Sequence, residues 1–121
     1  MIGTLNTTAM DCPDPLETAR FYRELLGGTI SPEEDEGWVN LYEPSGRLIL
    51  SFQRAEDYVA PTWPDNTVPL QVHIDILVES YDTAEPTVFA AGGRLLEGSD
   101  EHPGFRVYAD PIGRPFCLVL H

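Results

Sequence analysis

His73 and Asp75 stand two residues apart in the apolar run Val72-His73-Ile74-Asp75-Ile76-Leu77. Successive strand side chains alternate between faces, so this imidazole and carboxylate share one face while Val72, Ile74 and Ile76 share the other. Such a pair has two readings. It offers a ligand hydrogen bonds or acid–base chemistry, with His73 as the general base because histidine titrates near neutral pH. Alternatively, the two groups satisfy each other as a structural pair. Cys117, between Phe116 and Leu118, is also open to two readings. A buried cysteine behaves as a small apolar residue, whereas a nucleophilic thiol needs a lowered pKa and a cation or histidine beside it. Cys12 precedes a helix and reads as a packing residue. Trp63 and Tyr58 lie in a proline-rich stretch, either as an aromatic wall over a pocket or as anchors or subunit contacts. Tyr108 and Arg106 share a strand face; Arg106 reads as a solvent or interface residue, or as a clamp for an anionic ligand group. His102, close to Asp100 and Glu101, reads as exposed, and His121 as an uninformative terminal residue.

The elements that position these groups belong to a chain of 121 residues, with 7 basic against 20 acidic side chains and a formal charge of −13. That length suits one domain or two small halves sharing a core. Hydrophobic residues make up 42%, which excludes wholesale disorder. The acidity argues against nucleic acid or an anionic membrane surface as partner. All the basic residues are Arg, so no lysine Schiff base or P-loop lysine is available. No apolar run approaches the roughly 20 residues of a membrane span, and no signal-peptide pattern opens the chain. Two cysteines do not make a disulfide framework, which points to a reduced cytoplasm.

Along the chain, residues 2–10 read as a strand. Asp14 and Pro15 supply an N-cap and a first helical residue. Leu16, Ala19, Phe21, Tyr22, Leu25 and Leu26 recur at helical spacing, and Gly27-Gly28 ends the helix. Strands are expected at 29–31, 38–43 and 47–53, with the acidic run Glu33–Glu36 as a solvated turn. Residues 55–69, with Pro61, Pro64 and Pro69, read as a linker longer than most connections. A strand at 70–78, a helix at about 82–91, and strands at 94–97, 105–109 and 114–120 follow. Pro86 predicts an irregular helix start.

The two halves repeat. Adding 65 maps Thr18-Ala19 onto Thr83-Ala84 and Gly27-Gly28 onto Gly92-Gly93. Adding 67 maps Glu43, Pro44, Gly46 and Arg47 onto Asp110, Pro111, Gly113 and Arg114, and Trp38 onto Phe105. Both halves read strand–helix–strand–strand–strand. The expected fold is therefore α+β: two βαβββ modules, 1–54 and 70–121, forming an open, barrel-like mixed sheet with helices outside. The concave side of such a shell is a natural pocket.

Several segments resemble the vicinal oxygen chelate superfamily, which includes glyoxalases, extradiol dioxygenases and bleomycin-resistance proteins. They are Asp11-Cys12-Pro13-Asp14-Pro15, Ala19-Arg20-Phe21-Tyr22, Leu25-Leu26-Gly27, Pro61-Thr62-Trp63-Pro64-Asp65 and Gln71-Val72-His73-Ile74-Asp75. The last runs from His102 to Pro111, with Gly113, Phe116 and Cys117 beyond it. The likeness is greatest to the bacterial glyoxalase-like subgroup. It implies paired βαβββ modules, frequent homodimers and, in the metal-dependent members, a divalent ion that chelates neighbouring substrate oxygens.

The resemblance also implies four metal-ligand slots, usually filled by His, Glu or Gln. Here they fall on Thr7, Leu50, His73 and Cys117, with Gln53 entering only if the register differs. A stable site needs several converging N, O or S donors. This set predicts no metal and no other cofactor. The expected function is to bind a small organic molecule in the concave pocket, with His73, Asp75, Trp63, Tyr58, Gln53, Tyr108 and Cys117 as ligand-binding residues. Alternatives are a metal-dependent lyase, isomerase or dioxygenase, a metal-free enzyme using His73 as base, and an interaction protein whose cavity is filled. A cytoplasmic homodimer without nucleic-acid or membrane partners is expected.

Overall fold

The computed structural model describes residues 1–32 and 37–120. The acidic run Glu33–Glu36 and His121 lie outside the described residues. The chain divides into two units, Met1–Tyr58 and Val59–His121. The boundary thus falls inside the expected linker. From Val59 on, the proline-rich stretch belongs to the second unit. There Thr62 closes a loop on itself: its N–H donates to the Val68 carbonyl at 2.9 Å and its Oγ1 accepts from the Val68 N–H at 3.0 Å.

The first unit runs β1 (Thr8–Cys12), α1 (Pro15–Leu26), β2 (Thr29–Pro32), β3 (Trp38–Tyr42) and β4 (Leu48–Arg54). The strands form one sheet in the order β1-β4-β3-β2, with β1 parallel to β4 and the other pairs antiparallel. The Asp14 carboxylate accepts from the N–H groups of Leu16 and Glu17 at 3.2 and 3.3 Å, satisfying donors that a helix start leaves orphaned. The helix buries Pro15, Thr18, Ala19, Phe21 and Tyr22. Tyr22 stacks on Phe52 of β4 at 5.7 Å, which identifies the helix-facing side of this sheet. Gly28 is required by close approach: a Cβ there would lie 1.9 Å from the Tyr42 carbonyl oxygen.

The second unit repeats the plan: β5 (Asp75–Val78), α2 (Tyr81–Ala90), β6 (Arg94–Glu97), β7 (Phe105–Ala109) and β8 (Pro115–Leu120). The order is β5-β8-β7-β6, again with the first pair parallel. Ser80 caps α2 through the Thr83 N–H at 3.2 Å. Pro86 lies inside the helix rather than at its start.

The repeat extends to hydrogen bonds. In the first unit Glu43 N–H donates to Arg47 O at 2.9 Å and Gly46 N–H to Glu43 O at 2.8 Å. In the second, Asp110 N–H donates to Arg114 O and Gly113 N–H to Asp110 O, both at 2.9 Å. Gly46 and Gly113 take the same left-handed conformation, at φ 93° and 86°. Each unit is therefore a βαβββ module with its own hairpin of the same geometry.

Two strands differ from expectation. β1 starts at Thr8 and continues through Cys12, beyond the expected end at Met10. β5 starts only at Asp75, and Gln71, at φ 59°, breaks the extended run expected from Leu70.

Candidate functional site

In the second unit, β7 presents Arg106 and Tyr108 to α2. Arg106 Nη1 and the Tyr108 hydroxyl both donate to Glu85 Oε1 at 2.6 Å, and the Arg106 guanidinium lies 4.2 Å above the Tyr81 ring. Alternation then turns Phe105 and Val107 the other way, and the ladder carries Cys117 and Val119 of β8 and Asp75 of β5 with them. This open face holds a cavity of about 450 Å³. Its lining is Trp63, Leu70, His73, Asp75, Gly104, Phe105, Val107, Pro115, Phe116, Cys117 and Val119. The volume suits a small organic molecule, and the walls are almost wholly apolar.

The polar exception is a cluster at one side. His73 Nε2 lies 3.1 Å from Asp75 Oδ1. Asp75 is the direct ladder partner of Cys117. One ligand atom each from His73, Asp75 and Cys117 lie within 4.8 Å of one another. Burial first, and the Asp75 carboxylate second, push the Cys117 thiol up to about 11. Both causes disfavour the thiolate, so Cys117 is a neutral, weakly polar wall group at neutral pH.

The structure brings together four of the expected site residues: His73, Asp75, Trp63 and Cys117. It corrects the expectation for Tyr108. That side chain is fully buried on the helix-facing side, its hydroxyl committed to Glu85, so it does not reach the cavity. Burial and the Glu85 carboxylate raise its pKa. Arg106 is tied to the same carboxylate and clamps no ligand anion at the cavity. Tyr58 and Gln53 belong to the first unit. His102, expected to be exposed, is half-buried: it stacks on Phe105 at 4.2 Å and its Nε2 lies 3.0 Å from Glu97 Oε1. Cys12 is fully buried, as a packing residue would be.

The first unit shows what became of the equivalent positions. Leu41 pairs with Leu50 but Tyr42 pairs with Leu48, so Ile49 is an extra residue in a β-bulge. The second unit has no such insertion between Ala109↔Pro115 and Tyr108↔Phe116. The bulge changes the offset from 67 in the hairpin turn to 66 along β4. Thr7, Ala9 and Ser51 thus correspond to His73, Asp75 and Cys117, each 66 residues later. Leu50, the slot assigned from the turn alignment, faces the helix instead. Ser51 donates to Asn40 Oδ1 at 2.7 Å, leaving Thr7 as the donor in the 2.9 Å Thr7–Ser51 bond. Trp38 Nε1 donates to the same Asn40 oxygen at 2.8 Å. Sequence reasoning did not single out Ser51 or Asn40; two polar residues at alternate-face positions of otherwise apolar strands were the available signal. This unit also has a hollow of about 460 Å³, lined by Leu5, Asn6, Thr7, Thr8, Arg47, Leu48 and Ile49.

The metal expectation counted His73, Cys117 and, on a different register, Gln53, and left out Asp75. With Asp75 the cluster offers imidazole, carboxylate and thiol, three donor types that suit a borderline divalent ion with a coordination position left open. Cys117 would have to lose its proton for this, so the fit is conditional on proton release.

A family model for the glyoxalase-like domain matches residues 7–119. A search of curated proteins finds no match. Among solved structures, a glyoxalase/bleomycin resistance protein/dioxygenase family enzyme from Burkholderia phytofirmans is similar, with a TM-score of 0.73 and 16% identity over 98% of both chains. The fosfomycin resistance protein FosX from Listeria monocytogenes has a TM-score of 0.72 and 15% identity, over 100% of this chain and 95% of its own. A glyoxylase/bleomycin resistance protein/dioxygenase domain from Frankia sp. has a TM-score of 0.67 and 19% identity, over 99% and 93%. At these identities the likeness is one of fold. With the family match over nearly the whole length and the duplicated βαβββ architecture, the chain belongs to the glyoxalase-like domain family of the vicinal oxygen chelate superfamily.

Proposed function

We propose that this protein binds a small organic molecule in the cavity on the open face of its second unit. His73, Asp75 and Cys117 are the polar contacts, and Trp63, Phe105 and Val119 the apolar walls. The observation that carries this reading is the position of the cluster: the titratable side chains lining the cavity converge on one spot of an otherwise apolar surface. Apolar walls give affinity, and a few placed polar groups fix orientation. A ligand-observed NMR screen of small organic compounds tests it. Compounds that bind the wild type should lose their signal in Val119→Trp, which fills the cavity from β8, with circular dichroism unchanged. Binding undiminished in that variant, or no binding compound at all, would overturn the reading.

A second reading, divalent-ion binding, is favoured by the three convergent donors. His73, Asp75 and Cys117 would hold the ion, which when bound would act as a Lewis acid on a ligand oxygen. Zinc titration by calorimetry in two buffers of different ionisation enthalpy should then show one site, proton release on binding, and loss of the site in His73→Ala. Absence of stoichiometric binding would remove this reading and leave the first. The same proposal takes the chain as a cytoplasmic homodimer without nucleic-acid or membrane partners. A charge of −13 supports the latter exclusion, and no described helix is long and apolar enough to cross a membrane. Light scattering of the purified chain checks the dimer.

A further inference from the structure

The charges around the cavity narrow the class of ligand. This inference rests on the cavity's being a ligand site. The described lining includes one carboxylate, Asp75, and no arginine. The chain has no lysine to supply a cation from elsewhere. Within the second unit, Arg106 is spent on Glu85 at the helix-facing side. Arg114 is buried in the hairpin turn that Asp110 closes. Arg94 lies on β6, at the opposite edge of the sheet from β5. An anionic ligand would therefore meet a carboxylate whose one basic neighbour in the described lining, His73, is already engaged with it, inside a chain whose net charge is −13. A cationic one would meet the reverse. Asp75 keeps acceptor capacity for it: an ionised carboxylate has about four lone-pair sites, of which His73 and the Cys117 thiol take two. The aromatic lining acts in the same direction, because Trp63 and Phe105, the latter with one face stacked on His102, bring electron-rich rings that attract organic cations.

We propose that the ligand is an organic amine, its aromatic or branched-alkyl body packed among Trp63, Phe105 and Val119 and its protonated nitrogen held by the Asp75 carboxylate. Size limits it to one ring system or a comparable alkyl group, given about 450 Å³. His73 then acts as a positioning residue, holding the carboxylate in its rotamer through the 3.1 Å contact.

Three probes of matched shape test this by isothermal titration calorimetry on the full chain at pH 8. They are 2-phenylethylamine, 2-phenylethanol and 3-phenylpropanoate. The amine should bind about tenfold or more tightly than the alcohol, as a charge-assisted hydrogen bond would give, and the carboxylate should bind least. Asp75→Asn should abolish the amine's advantage, leaving amine and alcohol with similar affinities, while an unchanged circular dichroism spectrum and melting temperature show that the variant is folded. The proposal is overturned if the alcohol or the carboxylate binds as well as the amine, or if Asp75→Asn keeps the amine's advantage. Binding of the alcohol without preference for the amine would leave the cavity reading standing and remove this one. Failure of all three to bind the wild type would count against both.

Discussion

The environment of Cys117 yields a quantitative prediction about its reactivity. Its thiol lines the cavity, so a small alkylating agent can reach it, yet burial and the neighbouring Asp75 raise its pKa from 9.0 to about 11. At pH 8 an ordinary thiol of that starting value is roughly one-tenth ionised, whereas one at 11 is about one-thousandth ionised, a difference of about 100-fold. Alkylation by iodoacetamide, followed at peptide level by mass spectrometry, reads the thiolate fraction at each site. Cys12 is fully buried, and its own peptide reports separately. The rate at Cys117 should climb tenfold per pH unit between about pH 7 and 9.5 without levelling, since the inflection lies above that window. Asp75→Asn should speed labelling at fixed pH, but by less than the whole 100-fold, because burial is the larger cause. A rate that levels off below pH 9 would refute the reasoning. It would mean that the surroundings stabilise the thiolate rather than disfavour it.

Tyr108→Phe should cost about 1.5–3 kcal/mol in chemical denaturation, since it removes a hydrogen bond to a charged acceptor in a buried setting. The hydrogen bonds from Tyr108 and then Arg106 hold the Glu85 carboxyl below its ordinary 4.5. Its contribution is therefore present above that value and lost as pH falls through the lower folded one, and Glu85→Gln should flatten the acid limb of stability against pH. His102 behaves in the opposite sense: its bond to Glu97 raises its pKa above 6.5, so its contribution is full below that value and fades as pH rises through the higher folded one. An imidazole NMR titration should place its midpoint above 6.5 in the wild type and lower in Glu97→Gln. Finally, Gly28→Ala should be far more damaging to melting temperature than Gly46→Ala. Both have positive φ, but a Cβ at Gly28 meets backbone 1.9 Å away while Gly46 has open space and bears only the left-handed cost of about 1–2 kcal/mol.

Local signals in the chain carried most of the fold. Asp14-Pro15 and Gly27 bound α1 as their chemistry requires, and the repeated Pro-x-Gly-Arg turns proved to share both hydrogen bonds and glycine conformation. What failed depended on single-residue register. The extra residue Ile49 flips every later side chain of β4 relative to a simple repeat, which moved the first unit's slot from Leu50 to Ser51. Tyr108 was misplaced for a related reason. Each face of β7 carries an aromatic residue, Phe105 on one and Tyr108 on the other, so alternation showed that Arg106 and Tyr108 go together without showing which side the helix covers. Glu85, the acceptor that settles it, sits 21 and 23 residues away. The His73–Asp75 pair was legible because period-two spacing alone put both on one face, even though β5 begins later than expected. Convergence with Cys117 needed the parallel β5–β8 register, which no local pattern encodes.

A crystal structure soaked with a small organic compound that binds in solution tests the central claim most directly. The account predicts ligand density in the second unit's cavity, against Phe105 and Val119 and in contact with the His73–Asp75–Cys117 cluster. Density in the first unit's hollow beside Leu5, Thr7 and Ile49, with that cavity vacant, would contradict it.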